Sequence, residues 1–433
     1  MKIIKEKRGI TLIALAVTIV VLLILAGVTI DVTLGQNGIL NKSKEAADRM
    51  NNLVKEDEAE LNELLDELNE TMDNNWNSNI EIPEENTTPE PDPEPEVPKI
   101  EDATDIQGET VQVEDEYGNK VTIPKGFEVV EEEGTTVPEG IVIQDKDENQ
   151  FVWIPVGRVY KDDTGTNYSD IQLGRYTFDE DNGTPTPVQL AYTDEEPENY
   201  KNSEKLTDEY GDDYYEYATR ANPDGLVDEA NRLNDLNAIA KDLAGFVDSV
   251  KNNGGYYLGR YEASYGSGSS VADYKPLSQV STATSLSTST VGSLWNNVTQ
   301  LDAAKISRNM YKDDNTVGVE SDLVNSYAWD TAIVFIQAMG NGNENYSNKT
   351  SVNSSLANTG TIGDEVCNIH DMASNCYEWS TEYSTDTLSS SARPCVARGG
   401  SFSYSGYYTA IRYFSSATYK NSNFSFRLTL YVK

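Results

Sequence analysis

Residues 397–433 read ARGGSFSYSGYYTAIRYFSSATYKNSNFSFRLTLYVK, and the reading of this end decides the fold. Gly399 and Gly400 form a pair that lets backbone approach backbone where no side chain would fit. From 403 to 425 tyrosine, serine and asparagine dominate. Tyrosine offers a large amphipathic area with few rotatable bonds, and serine and asparagine adapt their hydrogen bonds, which is the composition of antibody paratopes. A segment meant wholly for a core would not carry so many hydroxyls. The other reading is a surface ladder of tyrosine and serine on strands. On the first reading, the residues that would meet a ligand are Tyr404, Ser405, Tyr407, Tyr408, Thr409, Tyr413, Tyr419, Asn421 and Asn423.

Upstream of this end, short β-like runs broken by glycine recur beyond residue 100, as in VTIPKGFEVV, GIVIQ and FVWIPVGRVY. Two stretches have helical spacing. One covers residues 226–250; the other is SYAWDTAIVFIQAMG, with Trp329, Ile333, Ile336 and Met339 on one face. The acidic patches at 194–198 and 208–216 read as surface loops or insertions. A folded head of mixed α and β character is therefore expected over residues 101–433.

Several phrases follow one another in order: FVWIPVG from Phe151, YYLGRYEAS from Tyr256, the helix around Trp329, NIHDMASNCYEW from Asn368, and ARGGSF from Ala397 with a closing FRLTLYV from Phe426. In that order they resemble the formylglycine-generating enzyme (sulfatase-modifying factor) family, whose fold is a variant of the C-type lectin fold. The resemblance implies an α+β, C-type lectin-like head. The family's enzymes use two cysteines just after the GGS segment to bind copper and oxidise a substrate cysteine with oxygen. Here those positions fall on Tyr404 and Thr409, and no cysteine follows Gly399. Cuprous copper prefers soft thiolate or thioether ligands, so neither copper nor catalysis is expected.

The same resemblance implies a calcium site in DMASNCYE, through two side chains and two intervening carbonyls at Asp371, Ser374, Cys376 and Glu378. A hard cation suits such oxygens; a carboxylate in this turn could instead cap backbone amides. His370, the single histidine, adjoins this segment and has no nucleophile near it in sequence, so it reads as structural. Cys367, Cys376 and Cys395 read as buried small hydrophobes or as one disulfide and a remainder.

A head ending in RGGS, a polar-aromatic stretch and a phenylalanine-arginine close also resembles the variable proteins of diversity-generating retroelements. In those, template adenines are mutated and asparagine-type codons scatter into residues such as Tyr, Ser, Asn, Thr, Ala, Ile and Phe. Nearly all of residues 403–425 belong to that set, Lys420 being an exception, and Ser425 stands where glycine usually precedes the close. The function implied is ligand binding at the surface, with 403–425 as a candidate variable region; a fixed adhesin is the rival.

Composition agrees with a binder. Of 433 residues 72 are acidic and 33 basic, giving a formal charge of −39 that repels nucleic acid and anionic membrane surfaces. The hydrophobic share of 38% is low for a wholly globular chain. Residues 10–30 carry no charge and are long enough as a helix to span a bilayer. Lys2, Lys5, Lys7 and Arg8 precede them and Asp31 follows, which keeps the N-terminus inside and sends the rest outward. A cleavable secretory signal would begin in the same way, but its apolar core is shorter.

The stretch RGITLI is similar to the start of a type IV prepilin, which places a possible leader cleavage between Gly9 and Ile10. It departs from pilins at Ala14, where they carry glutamate. Residues 1–43 thus form a prepilin-like leader and a transmembrane anchor. Residues 44–100 combine an amphipathic helical stretch, 44–72, which suits either self-association as a coiled coil or a solvated acidic helix, with a proline- and glutamate-rich stalk that stays extended. The expected location is a bacterial cell membrane with the head outside, facing a protein or glycan ligand.

Overall fold

The computed structural model describes residues 97–191, 206–207, 213–216, 243–384 and 393–433. The leader site, the apolar run, the 44–72 stretch, nearly all of the stalk and the first part of the 226–250 helix lie outside them. Among the described residues no helix is long and apolar enough to cross a membrane.

Two six-stranded sheets organise the head, which is mainly β with few helices. The first runs in the order Val319–Leu323, Leu428–Val432, Gly255–Gly259, Gln150–Pro155, Val142–Asp145 and Phe127–Val129, with every pairing antiparallel. The last strand of the chain thus inserts between two earlier ones. Gly255–Gly259 and Leu428–Val432 are buried at every residue, so this sheet is covered on both faces. Tyr257 lies opposite Trp153 with ring centroids 5.0 Å apart. Two places along, a Cβ on Gly255 would come within 2.5 Å of the Trp153 ring, so the pair depends on that glycine.

Three α-helices are described: α1 (Leu243–Asn253), α2 (Gln300–Asn309) and α3 (Ser326–Met339). In α1, Phe246 meets Tyr256 and Tyr431 edge-on, which closes one face of the first sheet. α2 begins at Thr299, whose side chain accepts from the Asp302 amide. The Asn325 side chain caps α3 by accepting from the Ala328 amide. Ten residues of α3, from Ser326 to Ile333 and then Phe335 and Ile336, are buried, which makes it a core helix on more faces than its one apolar stripe predicts.

The second sheet runs Leu206–Thr207, Asp213–Glu216, Tyr377–Ser384, Cys395–Arg398 and Tyr413–Ser415, and Phe424–Phe426 adds in parallel to Tyr377–Ser384. The central strand Tyr377–Ser384 is wholly buried, and the Trp379 indole donates to the Val298 carbonyl at 2.8 Å. One expectation changes here. The acidic patch at 208–216 reads as a loop, yet its last four residues, Asp213–Glu216, pair with Tyr383 and its neighbours as a strand. Within that strand Tyr214 is buried.

Candidate functional site

The two motifs at the end of the chain meet backbone to backbone. Gly399 has φ +81, and a Cβ there would lie 2.6 Å from the Met372 carbonyl oxygen; a Cβ on Gly400 would run into the Ala373 carbonyl oxygen. The facing loop is itself unusual, because Cys367, Asn368, Asp371 and Asn375 all have positive φ, a costly conformation for residues other than glycine. Asn375 explains how it is held. Its amide nitrogen Nδ2 donates to Glu262 at 2.5 Å and to the Ala357 carbonyl at 3.2 Å, while its own carbonyl accepts from the Phe402 amide at 2.9 Å. The side chain of Asn375 therefore ties the 353–357 loop to the buried Glu262, and its backbone carbonyl holds the start of the tyrosine-rich segment.

Above that support the aromatic residues gather. Tyr404 and Tyr407 have centroids 4.6 Å apart, Tyr407 and Tyr413 5.4 Å, and Tyr419 meets Phe424 edge-on at 5.1 Å. Beneath them Tyr377 stacks on Tyr413. Burial, and then the neighbouring tyrosines, push the hydroxyls of Tyr377, Tyr407 and Tyr413 above the ordinary phenol range, so they stay neutral donors at physiological pH. Tyr404 is 55% exposed and Ser405 is exposed too. Val352, 54% exposed, belongs to a loop that adjoins the segment through the Thr350–Tyr408 bridge. No charged residue occurs in 350–363 or in 399–411, although the chain as a whole is strongly acidic; the charges near the patch are cationic, Arg393 acting on Tyr407 and Tyr413 and Lys420 exposed beside Tyr419.

Under this surface lies a buried ionic network. Arg412 donates from Nε to Glu382 at 2.8 Å and from Nη2 to Asp330 at 2.6 Å. Arg398 bridges the same two carboxylates, and Arg175 joins Glu382. Burial alone would raise the Glu382 carboxyl, but Arg412, Arg175 and Arg398 outweigh it and hold it at about 2.

At the four positions proposed for calcium, both carboxylates already have protein partners. Glu378 gives both oxygens to Arg427, at 2.9 and 2.6 Å. Asp371 accepts through Oδ2 from Thr359 and the Gly360 amide, and only its buried Oδ1 has no partner. The Ser374 hydroxyl accepts from the Val352 amide, and the Cys376 amide donates to Glu262. Among the described residues no group of three or more His, Cys, Asp or Glu is placed to hold a metal. No disulfide joins Cys367, Cys376 and Cys395, and burial pushes the Cys367 thiol up to about 12. His370 stacks on Tyr261 and reaches Glu365 at 3.1 Å.

Compared with models of protein families, with curated proteins and with solved structures, the chain matches none. The geometry therefore carries the functional reading alone. It brings Tyr404, Tyr407, Tyr413 and Tyr419 into one patch, with Asn421 exposed at its edge and Asn423 bonded to Ser403 at 2.7 Å. Tyr408 is half-buried beside Thr350. Thr409 is not on this surface, because it is fully buried with its amide and hydroxyl both donated to the Lys349 carbonyl. Tyr404 and Thr409 are thus split, one outward and one inward. Sequence reasoning missed Tyr377, Asn375 and Arg412. Only Arg412 left a signal, as the single charge between Gly399 and Tyr419.

Proposed function

We propose that this protein is a surface-displayed receptor or adhesin whose head takes a C-type lectin-like fold of the formylglycine-generating enzyme type. Residues 10–30 anchor it in a bacterial membrane and the acidic stalk holds the head outward. The observation that carries the reading is the tyrosine patch around Tyr404 and Tyr407, seated on a buried support. Large, rigid, amphipathic rings with hydroxyl and amide neighbours are what a recognition surface needs. Nothing reactive is offered by Tyr404 or Thr409 at the positions where the family's enzymes hold thiolates, so the protein binds and does not catalyse.

The test against enzyme function is to incubate the full-length protein with copper, oxygen and a cysteine-containing peptide. We expect no aldehyde; sustained turnover would overturn the binding reading. Diversification of the face by a retroelement has its own test in the neighbouring DNA. A near-copy of the codons for residues 398–427 should lie beside a reverse transcriptase, with mismatches at template adenines. Differences spread over all four bases, or no copy at all, leave a fixed adhesin.

A further inference from the structure

We propose that Arg412 is the positioning residue of the recognition face: it pins the middle of the tyrosine-rich segment to the scaffold and divides the segment into two separately displayed loops. The inference rests on the reading of that segment as a recognition face and adds how the face is held.

Around Arg412, Arg398 donates to the Ile411 and Ala410 carbonyls at 2.9 and 3.3 Å, and Tyr413 stacks on Tyr377. Tyr413–Ser415 is a strand of three residues at the end of its sheet, paired only with Cys395–Arg398. Arg412, by contrast, reaches three separate elements at once: Asp330 on α3, Glu382 on the strand Tyr377–Ser384, and the Tyr176 carbonyl on the strand Gly174–Phe178 at 3.3 Å. Its side chain is 9% exposed and both carboxylates are fully buried. A guanidinium can span two carboxylates because its donors are fixed in a planar fork, which a lysine ammonium lacks. On the N-terminal side Thr409 and Ala410 are held by the carbonyls of Lys349 and Ser347. On the other side Asn297 donates to the carbonyls of Asn421 and Phe424. The outward residues fall into one loop around Tyr404, before the first of these ties, and a second around Tyr419, between Arg412 and the last.

Charge balance separates positioning from general stability. Arg175, Arg398 and Arg412 face Asp330 and Glu382, three cations against two anions. Without Arg412 the two remaining arginines still neutralise both buried carboxylates. The scaffold keeps its internal pairing, and the segment alone loses its anchor.

Hydrogen exchange on the full-length protein reads this without any ligand, by comparing wild type with Arg412→Ala and Arg412→Lys. We expect amides in residues 407–418 to exchange roughly tenfold faster or more in both variants, since neither restores the fork, while Gly255–Gly259 and Leu428–Val432 keep their protection. Unchanged exchange in the segment would overturn the proposal. So would an equal loss of protection across the whole head in Arg412→Lys, the milder change, because Arg412 would then be a general core stabiliser. Failure here leaves the binding reading standing, and failure to find a ligand leaves this result untouched.

Discussion

Tyr377 and Tyr413 stack with their ring centroids 5.1 Å apart and their planes 9° from parallel. One ring belongs to the buried central strand of the second sheet, the other to the tyrosine-rich segment. The contact joins a support to a displayed surface, and it sets up a contrast in stability. Tyr413→Ala removes a half-buried ring with its stack and should destabilise the head by roughly 1–3 kcal/mol. Tyr404→Ala removes an exposed ring and should stay within about 0.5 kcal/mol of wild type. Thermal or urea unfolding of the two variants distinguishes them, and equal losses would mean that Tyr404 is part of the core.

Arg427 closes the other end of the segment and is fully buried against Glu378. It also donates to the carbonyls of Gly259 and His370, so one side chain ties both sheets to the 368–379 loop. Removing one partner of a buried pair leaves a bare charge. Arg427→Ala should therefore cost roughly 3–5 kcal/mol. Arg158→Ala, which breaks the exposed pair with Asp170, should leave the melting temperature unchanged. A small effect of Arg427→Ala would show that the pair is not buried as described.

Glu262 gives a pH dependence. Burial, followed by Asp371 and Glu378, pushes its carboxyl well above the usual range. The folded value lies above the unfolded one, so its contribution to stability is complete below the unfolded carboxyl range and is lost as pH rises through the folded value. The melting temperature should decline as pH rises above the unfolded carboxyl range, and Glu262→Gln should flatten that part of the curve. A wild-type decline that the glutamine variant retains in full would assign it to another group.

Calcium bears on the neighbouring carboxylates. An ion at Asp371 and Glu378 would have to take Glu378 from Arg427, stranding a buried guanidinium. Millimolar calcium and a chelator should give the same melting temperature. A rise of several degrees with calcium would show that Arg427 yields and that the positions converge on the ion after all.

How much of this was legible in the sequence differs by element. Helix α3 was, because Trp329, Ile333, Ile336 and Met339 repeat at helical spacing, and so were the strands around Trp153 and Val142. The glycine pair at 399–400 announced a close approach, but only the fold shows that its partners are Met372 and Ala373. Thr409 and Tyr404 look alike in a run of hydroxyl-bearing residues; one faces inward because of a hydrogen bond to a carbonyl sixty positions upstream. The roles of Asn375, Asp330 and Glu382 were illegible for the same reason, since each depends on partners far off in the chain. Periodicity records which side of an element is apolar, and it is silent on long-range polar pairing.

The central claim, that the tyrosine patch is where this protein meets its partner, is tested most directly by binding. Full-length protein displayed on cells would be presented to arrays of neutral glycans and of extracellular protein domains, as wild type, as a Tyr404→Ala/Tyr407→Ala double variant and as Tyr168→Ala. Tyr168 is 42% exposed on the strand Tyr168–Ile171, outside the patch, and serves as the control. We predict a ligand bound by wild type and by Tyr168→Ala and lost in the double variant, with all three showing a cooperative unfolding transition well above the assay temperature. Binding that survives loss of both Tyr404 and Tyr407 would contradict the account and place recognition elsewhere on the molecule.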